Sequence, residues 1–491
     1  MNICAKIARL VQTVKAAGPI QSGGVYIESV AAKFPFESFY ICRQPTGPMN
    51  RFILCVSLFA ASLVSTIIDG YSQTMSLSAI YRPRGEVMYG YRFPPDTIGV
   101  PQFIISHRAR LIGQYGSDRF SAYLSLQDAR TWGDEVTPAD VPSVAMQQVW
   151  AQYNFSKSVG LKIGRQELMY DNKRLLTDGN WIQTGRSYDA ATLKIALKNN
   201  WKIDVVGSYN QQTTTYFGNY YNLSNPKTLD LLWVNKSRTD TNFNYNVSAM
   251  VLGDGWQTPD TTGVFMRYTY GLNTAFDWVN WGINLEGYGQ SGKTRTINQS
   301  GNIVPDSFQT VKAFMFSVNP WVNVFEGFRV GVGLDYLSGS DALDTTRGAT
   351  TNLFNPQFGA AHRYYGRMDI FFNVPQATRN GGLIDGYLKL QYMYKGWEFY
   401  GDYHYFLLED QVEDVENPGT ALSQGLGYEI DLWLSRDITK AVNFMSGIHF
   451  LFPTRSLEFV KTASFSQVGS PTVTGFWFFA MLTFKPVFFS K

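Results

Sequence analysis

Long and short connections alternate strictly along this chain, and that rhythm constrains its fold more than any motif does. From residue 85 onward the apolar pattern has period two. In FRVGVGLDYL (328–337), Phe328, Val330, Val332 and Leu334 share one face, and Arg329, Gly331, Gly333 and Asp335 share the other. Alternation of this kind marks strands with one apolar face. Strands are expected near 85–93, 102–115, 119–131, 144–155, 159–167, 187–197, 201–211, 228–235 and 242–252, and again near 261–270, 276–288, 311–324, 327–338, 384–394, 397–408, 427–436, 441–452 and 474–486. Short turns such as 116–118, 156–158, 198–200 and 395–396 alternate with long connections at 168–186, 212–227, 289–310, 339–383, 409–426 and 453–473.

A soluble all-β protein has no reason to sort its loops by parity. An outer-membrane barrel does, with short periplasmic turns, longer outer loops and an even strand number. The expected fold is therefore all-β: a transmembrane antiparallel β-barrel of about 18 strands in a bacterial outer membrane. Lipid offers no partner to a backbone amide, so such a sheet has to close on itself. Composition agrees, with 35 Phe and 29 Tyr supplying aromatic girdles and only 16% of residues charged. The last strand, TGFWFFAMLTF, puts Phe476, Phe478, Ala480, Leu482 and Phe484 on one face. A terminal strand of this kind usually ends the chain, yet residues 485–491 follow.

The stretch from Met49 has a positive end at Arg51, an apolar run from Phe52 to Val64 and small residues Gly70 and Ser72. This reads as a signal peptide over 49–73, too short to be a membrane-spanning helix. Residues 1–48 read as an extension ahead of the true start, leaving 74–491 as the barrel. All three cysteines (Cys4, Cys42, Cys55) precede residue 74, so the barrel needs no disulfide. Its 36 Lys/Arg balance its 36 Asp/Glu once the six and three of residues 1–73 are subtracted from 42 and 39. A formally neutral chain with no basic block gives no sign of nucleic-acid binding. The partners expected are outer-membrane lipid and a solute.

Alternation also predicts the lumen. Arg108, Arg110, Lys194, Lys202, Arg267 and Arg329 fall on the polar faces of their strands, whereas Asp385, Glu398, Asp402, Glu429 and Asp431 make the late strands acidic. Asp204, Glu286 and Asp335 add negative charge elsewhere. Facing basic and acidic walls would set up a transverse field, suited to a neutral or mildly anionic oligosaccharide or to small hydrophilic solutes. Tyr123, Trp150, Tyr387, Tyr400 and Trp433 share the polar face and are candidates to stack on sugar rings or simply to pack.

One stretch, GRQELMYDNKRLLTDGNWIQTGRSYDA (164–190), collects three arginines among aromatics and short polar residues. A second, LSGSDALDTT (337–346) followed by TNLFNPQFGAAHRYYGRMDIF (351–371), places a Ser-Gly-acid segment before His and Gly-x-x-Asp. Together they resemble the signature segments of the alginate-export family of outer-membrane porins. The resemblance implies an 18-stranded barrel and a passive channel for an anionic polysaccharide, alginate in the named members. Its lumen would be lined with arginines and narrowed by long loops, and its partners would include a periplasmic export complex. The matching positions are Arg165, Arg174, Arg186 and Asp189, then His362, Gly366 and Asp369, with Arg363 and Arg367 beside them. A guanidinium suits this task because it binds a carboxylate bidentately and stays charged.

The competing reading is structural: these arginines pair with Asp171, Asp178 or Asp189 to order the loop. Arg165 has the parity of Leu161 and Ile163, so it reaches the lumen only if the strand has ended or bulged. The expected substrate path is thus Arg108, Arg110, Arg165, Arg174, Arg186, Asp189, Arg267, Arg329, His362, Arg363, Arg367 and Asp369. Loop 339–383 is the candidate internal constriction, because HRYYGRMDIFF is too apolar to hang in water. No nucleophile elbow, zinc helix or phosphate loop occurs, and the best dyad candidate, His404 with Asp402, reads as a lumen hydrogen bond; the chain is not read as an enzyme, and no cofactor is expected. A weak Ca²⁺ candidate is Glu409, Asp410, Glu413 and Asp414, without recognised ligand spacing. The leading function is passive diffusion of an anionic poly- or oligosaccharide. The alternatives are a general small-solute porin and a plugged barrel serving as a surface anchor or receptor.

Overall fold

The computed structural model describes residues 73–491, apart from short stretches at 96–97, 138–142, 213, 215, 218–224, 258–262, 298–302, 345, 347, 357, 415 and 463–471. The expected extension 1–48 and, save for Gln73, the expected signal peptide 49–73 lie outside the described residues.

Twenty strands follow one another: β1 (Thr74–Tyr89), β2 (Gln102–Gly116), β3 (Phe120–Thr131), β4 (Ala145–Asn154), β5 (Val159–Gln166), β6 (Tyr188–Leu197), β7 (Trp201–Tyr209), β8 (Thr228–Arg238), β9 (Phe243–Trp256), β10 (Phe265–Trp278), β11 (Trp281–Ile297), β12 (Ile303–Phe325), β13 (Phe328–Leu337), β14 (Thr350–Thr351), β15 (Leu383–Tyr394), β16 (Trp397–Leu407), β17 (Gly425–Thr439), β18 (Val442–Pro453), β19 (Gly475–Phe484) and β20 (Val487–Ser490). Eighteen of them form the wall. Each pairs antiparallel with its neighbour, β13 pairs directly with β15, and β19 returns to β1 to close the barrel. The remaining two are accessories: β14 lies parallel to β12, and β20 extends the seam along β1.

The expected strands agree with the eighteen wall strands in number and order, and three local differences have physical reasons. β1 begins at Thr74 rather than 85, and Pro83, which a central strand normally excludes, sits in mid-strand and masks its first half in the sequence. It is tolerated there because the β1–β19 ladder skips Arg82 and Pro83. The turn between β10 and β11 is the tight pair Val279–Asn280, with Trp278 and Trp281 stacked across it at 4.0 Å. Much of the expected loop 289–310 is instead hairpin, since β11 and β12 run on to Ile297 and from Ile303. The residues after Phe484 are part of the seam as well: Met75 and Lys491 exchange backbone hydrogen bonds at 3.0 and 2.9 Å, and Ala79 donates to the Pro486 carbonyl at 3.0 Å.

The outward face is apolar, as lipid requires. At the short-turn end cations lie over girdle aromatics: Lys236 over Trp201, Lys395 over Tyr394 and Arg436 over Trp397, at 4.9, 4.9 and 5.0 Å. The inward face has two zones. Towards the long-loop end it is apolar, with Val206, Leu229, Leu231, Leu252, Val311 and Met315 all buried. Towards the short-turn end the same strands present Asn235, Asn244, Asn246, Asn284, Asn319 and Asn323. The apolar zone is covered by loops that turn inward: Leu175 and Leu176 of loop 167–187, Phe354, Met368, Ile370 and Phe371 of loop 338–382, and Leu457, Phe459 and Val460 of the short helix Arg455–Thr462 join one core with it.

Candidate functional site

Loop 167–187 is held by its backbone. The inward arginines of β1 and β2 aim at its carbonyls. Arg82 donates to the Asn180 oxygen at 2.7 Å, Arg84 to that of Trp181 at 3.1 Å, and Arg108 to that of Gln183 at 2.5 Å and also to that of Ile182. Arg110 turns aside to the Gln127 side chain at 2.6 Å and lies 3.7 Å from Glu167. Gly185, at φ +71°, allows this close approach, since a Cβ there would sit 2.6 Å from the Arg110 guanidinium. The basic wall anticipated from alternation is therefore largely occupied by the loop. Arg108 is 1% exposed.

The acidic wall is occupied in the complementary way. Glu429 accepts the Met368 amide at 2.7 Å, and Asp431 accepts the Arg367 amide at 3.2 Å while its other oxygen meets His449 Nδ1 at 2.7 Å. Gly366 starts this turn at φ +80°, and any Cβ there would fall 2.5 Å from the Glu429 carboxylate. Cations thus hold the carbonyls of one loop, and carboxylates hold the amides of the other. Most of the charge behind the expected transverse field is spent on these contacts. Alternation could not show this, because it assigns a side chain to a face without naming what lies against it.

Arg174 binds the two loops to each other and to the wall. It is 2% exposed, with both terminal nitrogens on Asp335 at 2.6 and 3.0 Å, its Nε on Glu286 at 3.2 Å, and a contact to the Tyr365 hydroxyl at 3.1 Å. Burial alone would lower its pKa, but Asp335 and Glu286 outweigh burial and raise it. His362 stacks on Trp181 at 4.0 Å and meets Asp369 through Nδ1 at 2.8 Å. Burial lowers the His362 pKa to about 4 despite Asp369. At neutral pH the pair is a neutral imidazole donating to an ionised carboxylate. Asp369 also accepts from Tyr91.

Other expected positions lie elsewhere. Arg165 and Asp189 pair at 2.9 Å on the outward face, both well exposed, following the parity of Ile163. Arg267 is buried against Asp254 at 3.0 and 3.1 Å. Arg186 donates to the Phe358 carbonyl. The partner of His404 is Asp385 at 2.9 Å, not Asp402 at 4.0 Å. Carboxylates of the Ca²⁺ candidate hold backbone amides: Glu409 accepts the Gly339 amide of loop 338–382 at 2.5 Å, and Asp414 accepts the Glu416 amide of its own loop at 3.0 Å. Among the described residues no group of three or more such side chains is placed to hold a metal ion. Tyr123 and Trp150 stack on each other at 5.5 Å.

Several cavities adjoin one another inside the barrel, among them one of about 520 Å³ beside the β12–β13 turn that is lined by Asn323, Arg329 and Gln391. A lower cavity of about 550 Å³ opens among Asn242, Asn244, Asn284, Asn323, Trp321 and Arg329. It shares Asn284, Trp321 and Arg329 with a middle cavity of about 300 Å³ that adds Lys389, Tyr400, Asp402 and Trp433. The middle cavity shares Arg363 and Arg367 with an upper one of about 350 Å³, between the two inner loops, lined also by Lys173, Asp178, Trp181, Arg186 and Phe372. Arg329 lies 3.7 Å over Trp321, and Arg367 lies 3.6 Å over Trp433, which itself stacks on Tyr400 at 4.7 Å. Among the described residues no carboxylate lies within 4.0 Å of Arg329, Arg363 or Arg367. The lower cavity's asparagines were missed in the sequence, although their spacing at the short-turn ends of neighbouring strands was there to be read.

A closed 18-stranded barrel with an apolar belt, a polar vestibule and inward loops defines an outer-membrane channel. Residues 74–378 match the family of alginate-export proteins, and the chain belongs to that family. Comparison with curated protein sequences finds no match. Among solved structures it is similar to OccK8 (OprE) of Pseudomonas aeruginosa, at 11% identity over 84% of this chain and 98% of that one with a TM-score of 0.52. It is similar also to OpdL of the same organism, at 11% identity, 84% and 99% coverage and a TM-score of 0.54. OccAB1 of Acinetobacter baumannii gives 10% identity, 84% and 97% coverage and a TM-score of 0.54. At these identities the likeness is one of fold. The family and fold are those of outer-membrane channels, not of enzymes.

Proposed function

We propose that the channel passes a hydrophilic, anionic saccharide by passive diffusion along these adjoining cavities, with loop 339–383 as the constriction. The observation that carries this reading is the junction of the middle and upper cavities, where Arg363 and Arg367 have no carboxylate partner among the described residues. Arg367, whose one terminal nitrogen lies 3.5 Å from His362 Nε2, sits over the Trp433 indole beside the exposed Arg363, and the pair offers a sugar acid both a carboxylate clamp and a surface for its ring. Weak sites in series let an anion enter and leave, as conduction requires. Arg165, Asp189 and Arg267, spent on pairing, are not part of this path, and Arg108 and Arg174 act through the loops they hold.

The cavity sizes support a second point. Two chambers of about 300 and 350 Å³ stand at the small end of ligand pockets, so short saccharides and small carboxylates fit better than a fully hydrated polymer. A periplasmic export complex, if one serves this channel, would meet the short-turn end. The test is block of single-channel current in a planar bilayer by an oligouronate, with a neutral oligosaccharide of equal length as control. Concentration-dependent block by the acid alone is expected, weakened about tenfold or more for each arginine in Arg363→Gln and Arg367→Gln. Equal block by both sugars, or none by either, would reject the proposal.

A further inference from the structure

The turn His362–Asp369 of loop 338–382 carries Arg363 and Arg367 into the junction of the middle and upper cavities, and it is held there from outside. Tyr365 and Asp369 have left-handed backbone, at φ 59° and 56°, on either side of Gly366 at φ 80°. A non-glycine residue keeps such backbone only where its surroundings impose it. Here Glu429 and Asp431 of β17 accept the Met368 and Arg367 amides at 2.7 and 3.2 Å, and the Met368 carbonyl accepts the Arg92 amide at 2.9 Å. Both side-chain clamps are carboxylates, which accept more strongly when charged.

His362 begins this turn and is 8% exposed, flat against Trp181 at 4.0 Å and joined to Asp369 through Nδ1 at 2.8 Å. Cations face the pair from the loops, β1 and the short helix. Arg367 brings a terminal nitrogen to 3.5 Å from Nε2, and Arg92 stands 3.7 Å from Asp369 beside Tyr91. Arg84, paired with Glu86, lies 4.6 Å over Trp181, and Lys461 reaches the Ile370 carbonyl at 2.7 Å. Behind the clamps, His449 of β18 meets Asp431 at 2.7 Å, His404 of β16 meets Asp385 of β15 at 2.9 Å, and Asp402 lies 3.7 Å from Lys389. An imidazolium at His362 would stand against Arg367 and Arg92, whereas in the lumen it meets water. We propose that the turn is an acid-opened gate: protons on His362 and on the carboxylate clamps release it from β17, and the junction of the two cavities widens. Such a gate requires this loop to be the constriction, but not that the solute be a saccharide. Its direction follows from linkage. His362 binds a proton at about pH 4 in the held turn and near 6.5 in water. The released state is therefore favoured progressively as pH falls from 6.5 to 4, by at most roughly 300-fold.

The test is single-channel current of the full chain in potassium chloride, without any saccharide, between pH 7.5 and 3.5. A reversible step to a wider state is expected between pH 6.5 and 4, with the ratio of wide to narrow states rising about tenfold or more. His362→Gln should lose most of that step, and heat-modifiable gel mobility should show the barrel still folded at pH 4. A current that is flat or falls in acid, a full step in His362→Gln, or loss of the folded band in parallel with the step would each overturn the gate. Should His362→Gln fail to fold, a nitroxide on Arg363→Cys, the one cysteine after residue 73, reads the turn directly. It should be immobile at pH 7.5 and mobile at pH 4. A label still immobile at pH 4 would overturn the gate itself, and a label that loosens without widening the current would overturn the constriction on which it rests.

Discussion

Arg174 is the residue on which both inner loops depend. Its guanidinium neutralises Glu286 and Asp335, from β11 and β13, and touches Tyr364 and Tyr365 of the other loop. Removing one member of a buried ion cluster leaves the others charged and unpaired, which costs about 3–5 kcal/mol. Arg174→Met should lower the thermal midpoint and, by loosening both loops, raise single-channel conductance and current noise. A variant with unchanged midpoint and conductance would remove Arg174 from this role. His362 supplies a pH dependence of known sign. Its pKa is about 4 in the folded protein against 6.5 when free, so between those values the unfolded chain holds a proton that the folded one does not. Stability is full above about 6.5 and falls as pH drops towards 4, by about 3 kcal/mol over the window. The acid shift in thermal midpoint over this window should shrink in His362→Gln; an undiminished shift would place its cause elsewhere. In the sequence, Arg174, His362 and Asp369 could be singled out, but not their partners. Arg174 and Asp335 lie far apart in the chain, and only the closed barrel brings them together.

At the scale of elements, period-two alternation and turn residues located the wall strands to within a few residues in most cases. The failures are instructive. Pro83 masked the first half of β1, and hairpin residues above the membrane in β11 and β12 looked like loop because no lipid imposes an apolar face there. The direction of the loops was partly legible: Leu229, Leu231, Met250 and Leu252 put apolar groups on the inward parity, which makes sense only if something apolar covers them. The tail after Phe484 belongs to this scale too. Removing residues 485–491 deletes the Met75–Lys491 pair, the Ala79–Pro486 bond and the Lys485–Ala441 bond, at about 1 kcal/mol each. It also leaves the lower edge of β1 open in a setting where lipid supplies no replacement. The truncated protein should refold more slowly into detergent and unfold at lower urea, read by heat-modifiable gel mobility. Identical refolding and stability would make the tail dispensable.

For the molecule as a whole, the arrangement divides labour between the two kinds of charge. Most inward charges hold loops, and a minority, centred on Arg329, Arg363 and Arg367, face the space the loops leave. A census of lumen charge therefore misjudges selectivity: the formal balance of acids and bases says little once Glu429, Asp431, Arg82 and Arg108 are spent on backbone groups. The small unpaired cationic set should decide which ions pass. The most direct measurement is the reversal potential of single channels in a planar bilayer under a salt gradient, for the native protein and for Arg363→Gln with Arg367→Gln. An open channel with anion-selective reversal is expected for the native protein, with the reversal shifted towards zero in the double variant. A closed barrel would support an anchor or receptor instead, and a cation-selective or unchanged reversal potential would contradict the assignment of these arginines to the solute path.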